Sequence, residues 1–117
     1  MPFDEQLAER VRAVLGNRTE FTERRMFGGI AFLLRGHMCV GIVGRDLMVR
    51  VGAGQHEKAL AEKHARPMDF TGRPSRGMVY VSLAGLHTEH SLRRWIDRAR
   101  EFVETLPDKP VKSTRRR

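Results

Sequence analysis

The chain has 117 residues, a single cysteine and a net charge of +8. That length supports one core without cross-links, and Cys39 alone excludes an intramolecular disulfide, which fits a reducing compartment. No apolar run approaches the roughly 20 residues that cross a bilayer, and the start MPFDEQLAER has no apolar signal core, so the sequence predicts a soluble cytoplasmic protein.

The first predicted element is a helix. Asp4 is suited to cap it, and Leu7, Val11, Val14 and Leu15 form one apolar stripe. Gly16 suits the left-handed position that ends a helix. The polar stretch NRTEFTE reads as a connection. From Gly28 the pattern is that of strands: Ile30 to Leu34, a turn at Gly36, and Met38 to Val43. A second turn at Gly44-Arg45-Asp46 leads to Leu47, Val49 and Val51, which alternate with Met48 and Arg50.

HEKALAEKHA then reads as a short helix built on Ala59, Leu60 and Ala65. A short fourth strand is expected over Pro67 to Phe70 and a fifth over Met78 to Leu83. The last helix is capped by Thr88, carries Leu92, Trp95, Ile96, Ala99, Phe102, Val103 and Leu106 on one face, and stops at Pro107. The resulting fold class is α+β, two-layer, with a five-stranded antiparallel sheet and the order α-β-β-β-α-β-β-α. Residues 1–107 form one domain. Residues 108–117, with Lys109, Lys112, Arg115, Arg116 and Arg117 against Asp108, hold half the net charge and little to bury, so a disordered basic tail is expected.

The first two strands are apolar on both faces. Ile30, Phe32 and Leu34 are backed by Ala31 and Leu33, and Met38, Val40 and Ile42 by Cys39 and Val43. Either these strands are covered twice, or the second face meets a partner or a second copy of the chain.

Gly28-Gly29 follows the basic pair Arg24-Arg25 and invites a phosphate-loop reading. Such a loop follows a strand and opens a helix, whose amides meet the anion. These glycines precede a strand, and no helix follows for about 25 residues by the same template. They are therefore expected to bend the backbone at the strand entry.

The same residues carry a resemblance. RRMFGGIAFLLRGHMCVGIVGRDLMVRVG, followed by RPMDFTGRPSRGMVYV and by LRRWIDRAREFVETLP, resembles the TfoX N-terminal domain family from about Arg24 to Pro107. The matching positions are Met26, Phe27, Gly28 and Gly29, then Gly77, Met78 and Tyr80, then Trp95. The resemblance implies a secretion-chaperone-like α+β domain of bacterial origin. Its best-known members regulate natural competence together with a cyclic-AMP-responsive transcription factor, and carry a second, C-terminal domain with no counterpart in these 117 residues. The resemblance is thus to a stand-alone member, and it implies no catalytic residues and no cofactor.

Other chemistry is sparse. His87-Thr88-Glu89-His90, His56 and His64 lack the three or four convergent ligands a zinc site needs, so no metal is expected. Cys39 lies mid-strand, where a small buried hydrophobe is usual. No hydrolase or carboxylate-pair pattern suggests an enzyme. The loop Thr71 to Arg76 carries Arg73 and Arg76, donors suited to carboxylates or phosphates. Arg24-Arg25 and Arg93-Arg94 read as solvated faces.

The expectation is a non-enzymatic regulatory domain acting through protein contacts. Its candidate partner surface is Phe32, Leu33, Arg73 and Arg76, and a transcription factor is the partner class the resemblance implies. The alternative is weak electrostatic binding of nucleic acid by the tail residues Lys109, Lys112, Arg115, Arg116 and Arg117.

Overall fold

The computed structural model describes residues 3–16, 21–26, 28–68 and 76–107. The expected tail, Phe27, and most of the loop carrying Arg73 lie outside the described residues.

Helix α1 spans Glu5–Leu15. Asp4 Oδ1 accepts the Leu7 amide at 3.0 Å, satisfying one donor of the first turn. Leu7, Ala8, Val11 and Leu15 are buried, and Gly16, at φ +69°, closes the helix. Helix α3 spans Glu89–Val103, where Thr88 Oγ1 accepts the Ser91 amide at 3.0 Å. Its buried face is Leu92, Trp95, Ile96, Ala99 and Val103. The last turn tightens, with Thr105 and Leu106 bonded to Phe102 and Val103, so the helix ends before the expected Leu106.

The sheet has six strands rather than five: β1 Phe21–Met26, β2 Gly29–Leu34, β3 His37–Val43, β4 Asp46–Arg50, β5 Ala65–Pro67 and β6 Met78–Val81. All pairings are antiparallel in the order β1-β2-β3-β4-β6-β5. The added strand is β1, which the sequence reading assigned partly to a polar connection. It pairs with β2 along its whole length, from Phe21 opposite Leu34 to Met26 opposite Gly29. Its helix-facing charges have partners on that side: Glu23 receives Arg12 of α1 at 2.6 Å, and the Arg25 guanidinium lies 5.4 Å from the Phe3 ring centre.

Three other boundaries move. Helix α2 covers only His56–Leu60 after a 3-10 turn at Ala53–Gln55. His64 adopts φ +74°, which breaks the helical path and lets β5 begin at Ala65, ahead of the expected Pro67. Strand β6 stops at Val81, and Leu83–Leu86 forms a 3-10 turn.

Helix-side rungs cross the whole sheet. Arg25, Ile30, Ile42, Leu47, Val81 and Ala65 stand opposite one another in turn, as do Glu23, Phe32, Val40, Val49, Val79 and Pro67. Their apolar members other than the exposed Pro67 pack with α1, α3 and Ala59 of α2 into one core. Burial of each large aliphatic or aromatic side chain there contributes about 1.5–3 kcal/mol. The β2–β3 register shifts between Phe32 and Leu33, which pair with Val40 and Met38, so Cys39 is the extra residue of a bulge. It joins Val40 in the helix-side core.

Candidate interaction surface

The face of the sheet turned away from α1 and α3 has its own rung: Arg24, Ala31, Gly41, Met48, Tyr80 and Arg66. Arginine stands at both ends, the two smallest residues sit on β2 and β3, and Met48 and Tyr80 fill the far half. The Met48 methyl group lies over Gly41, where a Cβ would collide with it. Arg66 stacks 5.0 Å from the Tyr80 ring centre and grips Asp46 through both terminal nitrogens, at 2.5 and 3.3 Å.

Met48, Met68 and Tyr80 form a second buried cluster, with Met38, Val43 and Met78 partly buried around it. Leu33 stands opposite Met38, and Arg50 donates to the Met38 carbonyl at 3.3 Å. Four of the six methionines in the sequence thus gather in this cluster or at its margin. Unbranched thioether side chains repack at low cost, which suits a surface that moulds to a partner.

Of the two alternatives for the second face, the structure favours cover from within for its β4–β6 half, because Met68 packs on Met48 and Tyr80. The named candidates fare differently. Phe32 is 1% exposed in the helix-side core and presents no surface. Leu33 is on the second face but only 8% exposed. Arg76 is exposed just before β6, and Arg73 lies outside the described residues, as do Lys109, Lys112 and Arg115 to Arg117. Strand parity signals Val43 on this face but sets Met38 on the opposite face with Val40 and Ile42; the bulge at Cys39 exchanges the two, turning Met38 to the second face and Cys39 into the core. Arg24, read from sequence as part of a solvated face, and Arg66 take their places on the rung through β1 and the β5 register.

The family-like residues have structural work. Met26 ends β1, and Phe27 is outside the described residues. Gly28 adopts φ +73° in open space, and a Cβ on Gly29 would land on the Ile42 carbonyl oxygen of β3. Gly77, at φ +91°, accepts the Val51 and Gly52 amides at 2.8 and 3.1 Å. Met78 and Tyr80 belong to the second-face cluster, while Trp95, 2% exposed, anchors α3.

Elsewhere, an open cleft of about 840 Å³ separates α3 from the 3-10 turn at Ala53–Gln55, with Val51 and Phe102 beside His90, Arg93 and Arg98. Its arginines are engaged: Arg93 pairs with Glu89 at 2.7 Å, and Arg94 and Arg98 share Glu62 at 2.6 and 2.9 Å. The hydrogen bond from Arg94 chiefly holds the Glu62 carboxyl below its usual range. Burial pushes the Cys39 thiol up to about 12, with Arg100 opposing, so the thiolate a nucleophile needs is scarce. Among the described residues no group of three or more His, Cys, Asp or Glu side chains could hold a metal ion. No helix among them is long and apolar enough to cross a membrane.

The described residues form an α+β domain with α1 and α3 on one face of a six-stranded antiparallel sheet and a methionine cluster on the other. The family model described as "TfoX N-terminal domain" matches residues 13–103, from the last turn of α1 to the end of α3. The chain belongs to the TfoX N-terminal domain family. No curated protein and no solved structure matches it.

Proposed function

We propose that this chain is a non-enzymatic, cytoplasmic regulatory domain that acts through protein contacts made by the second face of its sheet. Family membership supports a regulatory role of the competence type; a bacterial cell and a transcription-factor partner are part of the proposal. The observation that carries the surface assignment is the partly exposed group Met38, Val43 and Met78 on the face opposite α1 and α3. Met and aromatic residues with Arg at the margin are the composition that protein interfaces favour.

The test places a photo-crosslinking amino acid at Met38 in the native host, with the same group at Lys58 on α2 as a control. A discrete protein adduct formed from position 38 and absent from position 58 is expected. Equal or no adducts from the two positions would remove the surface assignment.

Electrostatic binding of nucleic acid is the second reading. It rests on the basic sequence that follows Pro107, whose carbonyl oxygen lies 2.7 Å from Nε2 of His37 in β3. Titrating a labelled duplex across a salt series, with the full chain and with a chain ending at Asp108, separates the readings. A steep salt slope lost on truncation would assign the contact to the tail.

A further inference from the structure

We infer that the outer edge of β1 is an interface between two copies of this chain. The copies pair their β1 strands antiparallel about a two-fold axis at Arg24 and join two six-stranded sheets into one. The contact is separate from the second face and does not depend on what that face binds. The two edges of the sheet differ in how they are protected. β5 is three residues long and ends in Pro67, and both features blunt an edge against further pairing. β1 has six residues, no proline and an unbroken register with β2. Thr22, Glu23, Arg24 and Arg25 are all exposed, so no described element lies over this edge.

Backbone groups alternate in direction along an antiparallel strand. Counted from the two-residue turn that joins Met26 to Gly29, Thr22 and Arg24 turn their N–H and C=O groups to β2, and Glu23 and Arg25 turn theirs outward. Among the described residues no backbone group meets them there.

The side chains select the occupant. When Arg24 stands opposite the Arg24 of a second copy, each Glu23 stands opposite an Arg25, and these are the residues whose backbone groups face outward. A two-fold contact presents every pair twice, so four N–H···O bonds and two opposite-charge pairs form together. Glu23 already receives Arg12 at 2.6 and 3.0 Å, but a carboxylate offers about four acceptor sites. Arg25 lies 5.4 Å from the Phe3 ring centre and pairs with no described carboxylate. Against these gains stands one like-charge pair, Arg24 with its copy, whose side chains are solvated. A strand pair of this length falls short of the roughly 1,600 Å² of a standard interface, so the dimer is weak and reversible.

Sedimentation velocity of the full chain from about 10 μM to about 1 mM should show a monomer–dimer equilibrium. Glu23→Arg and Arg25→Glu each set like charges opposite one another, and each should weaken the dimer by on the order of tenfold or more. An equimolar mixture of these two variants restores both opposite-charge pairs and should associate again. Arg24→Thr removes the central like-charge pair and should tighten the dimer several-fold, whereas Lys58→Glu on α2 should leave it unchanged. All variants should keep the parent's circular dichroism spectrum. In the parent, amide exchange at Glu23 and Arg25 should slow as concentration rises, while that at Thr22 and Arg24 should not. A chain that stays monomeric throughout this range overturns the inference. So does a dimer that persists in both single variants, or a mixture of the two that fails to associate. Concentration-dependent protection that spares Glu23 and Arg25 would place the contact on another surface, against the inference.

Discussion

The Gly77 amide donates a hydrogen bond of 2.9 Å to Nδ1 of His56, a ring only 7% exposed. This bond ties the start of β6 to the start of α2, while the Gly77 carbonyl accepts two amides from the end of β4. Gly77 therefore sits in a backbone clip that also explains its glycine: φ is +91°, and a Cβ would press against Gly52 and Ala53 at 3.1 Å. Removing the acceptor leaves a buried N–H unpaired, which costs about 1–3 kcal/mol. His56→Leu should lower the urea midpoint accordingly with an unchanged m-value. His56→Asn, which keeps an acceptor near the same place, should retain most of the stability. Equal midpoints for the two variants would show that the bond contributes nothing.

The paired glycines at the head of β2 act by geometry of two kinds. Gly28 needs its φ of +73° but has open space around it, so Gly28→Ala should cost about 1 kcal/mol in backbone strain. Gly29 has an ordinary φ, but a Cβ there would overlap the Ile42 carbonyl oxygen and press on Val43. Both are backbone of β3 and yield poorly. Gly29→Ala should cost about 3 kcal/mol or more. Guanidinium melts of the two variants give the order, and a Gly28→Ala variant less stable than Gly29→Ala would reverse the assignment. Neither glycine stands at a helix N-terminus, so the site offers no amide cluster for a phosphate.

Much of this frame is legible in sequence, and the exceptions have physical causes. Helices α1 and α3 announce themselves through Asp4 and Thr88 and through their apolar stripes, because cap and stripe are local properties. Strand β1 does not, because four of its six residues are polar and their partners come from elsewhere: Glu23 is satisfied by Arg12, and Arg25 by the Phe3 ring. A hydrophobic-pattern search cannot see a charge that is paired across 11 residues. The apolar second face is visible as alternation in Ala31, Leu33 and Val43, but its partial cover by Met68 depends on where the chain returns after β5. Phe32 could be placed on one face of its strand, yet only the packing of α1 and α3 shows that this face is the core.

Stability in acid should depend on Glu62. Its carboxylate lies between Arg94 and Arg98, and the hydrogen bond from Arg94, opposed by burial, lowers its pKa below the unfolded value. A carboxyl depressed on folding contributes fully above the unfolded pKa and loses that contribution as pH falls through the folded one. Glu62→Gln should therefore cost about 1 kcal/mol or less at pH 7, in line with partly exposed ion pairs, and the gap from the parent should narrow as pH falls below the ordinary carboxyl range of about 4.3 and through the lowered folded-state value. Trp95 is convenient for the measurement, since it is the only tryptophan and lies under Arg98 at 4.8 Å. Parallel fluorescence-monitored urea curves would reject the assignment if the gap stayed constant across that range.

Cys39 should be silent toward thiol reagents in the native protein. Its sulfur is fully buried in the helix-side core, and burial pushes its pKa up to about 12, so at pH 8 the thiolate fraction is about one in ten thousand. Exposure requires parting α3 from β3, because the bulge turns Cys39 inward together with Val40. Labelling by a disulfide reagent should then proceed only through opening of that core, with rates that rise with urea in step with the Trp95 unfolding signal. One thiol should titrate in guanidinium and none within the same time in buffer. Rapid stoichiometric labelling of the native chain would instead mean that β3 and α3 separate readily, and it would restore Cys39 as a candidate redox site. The geometry argues against that role, since neither a route to the sulfur nor a net stabilisation of its thiolate is built into the core.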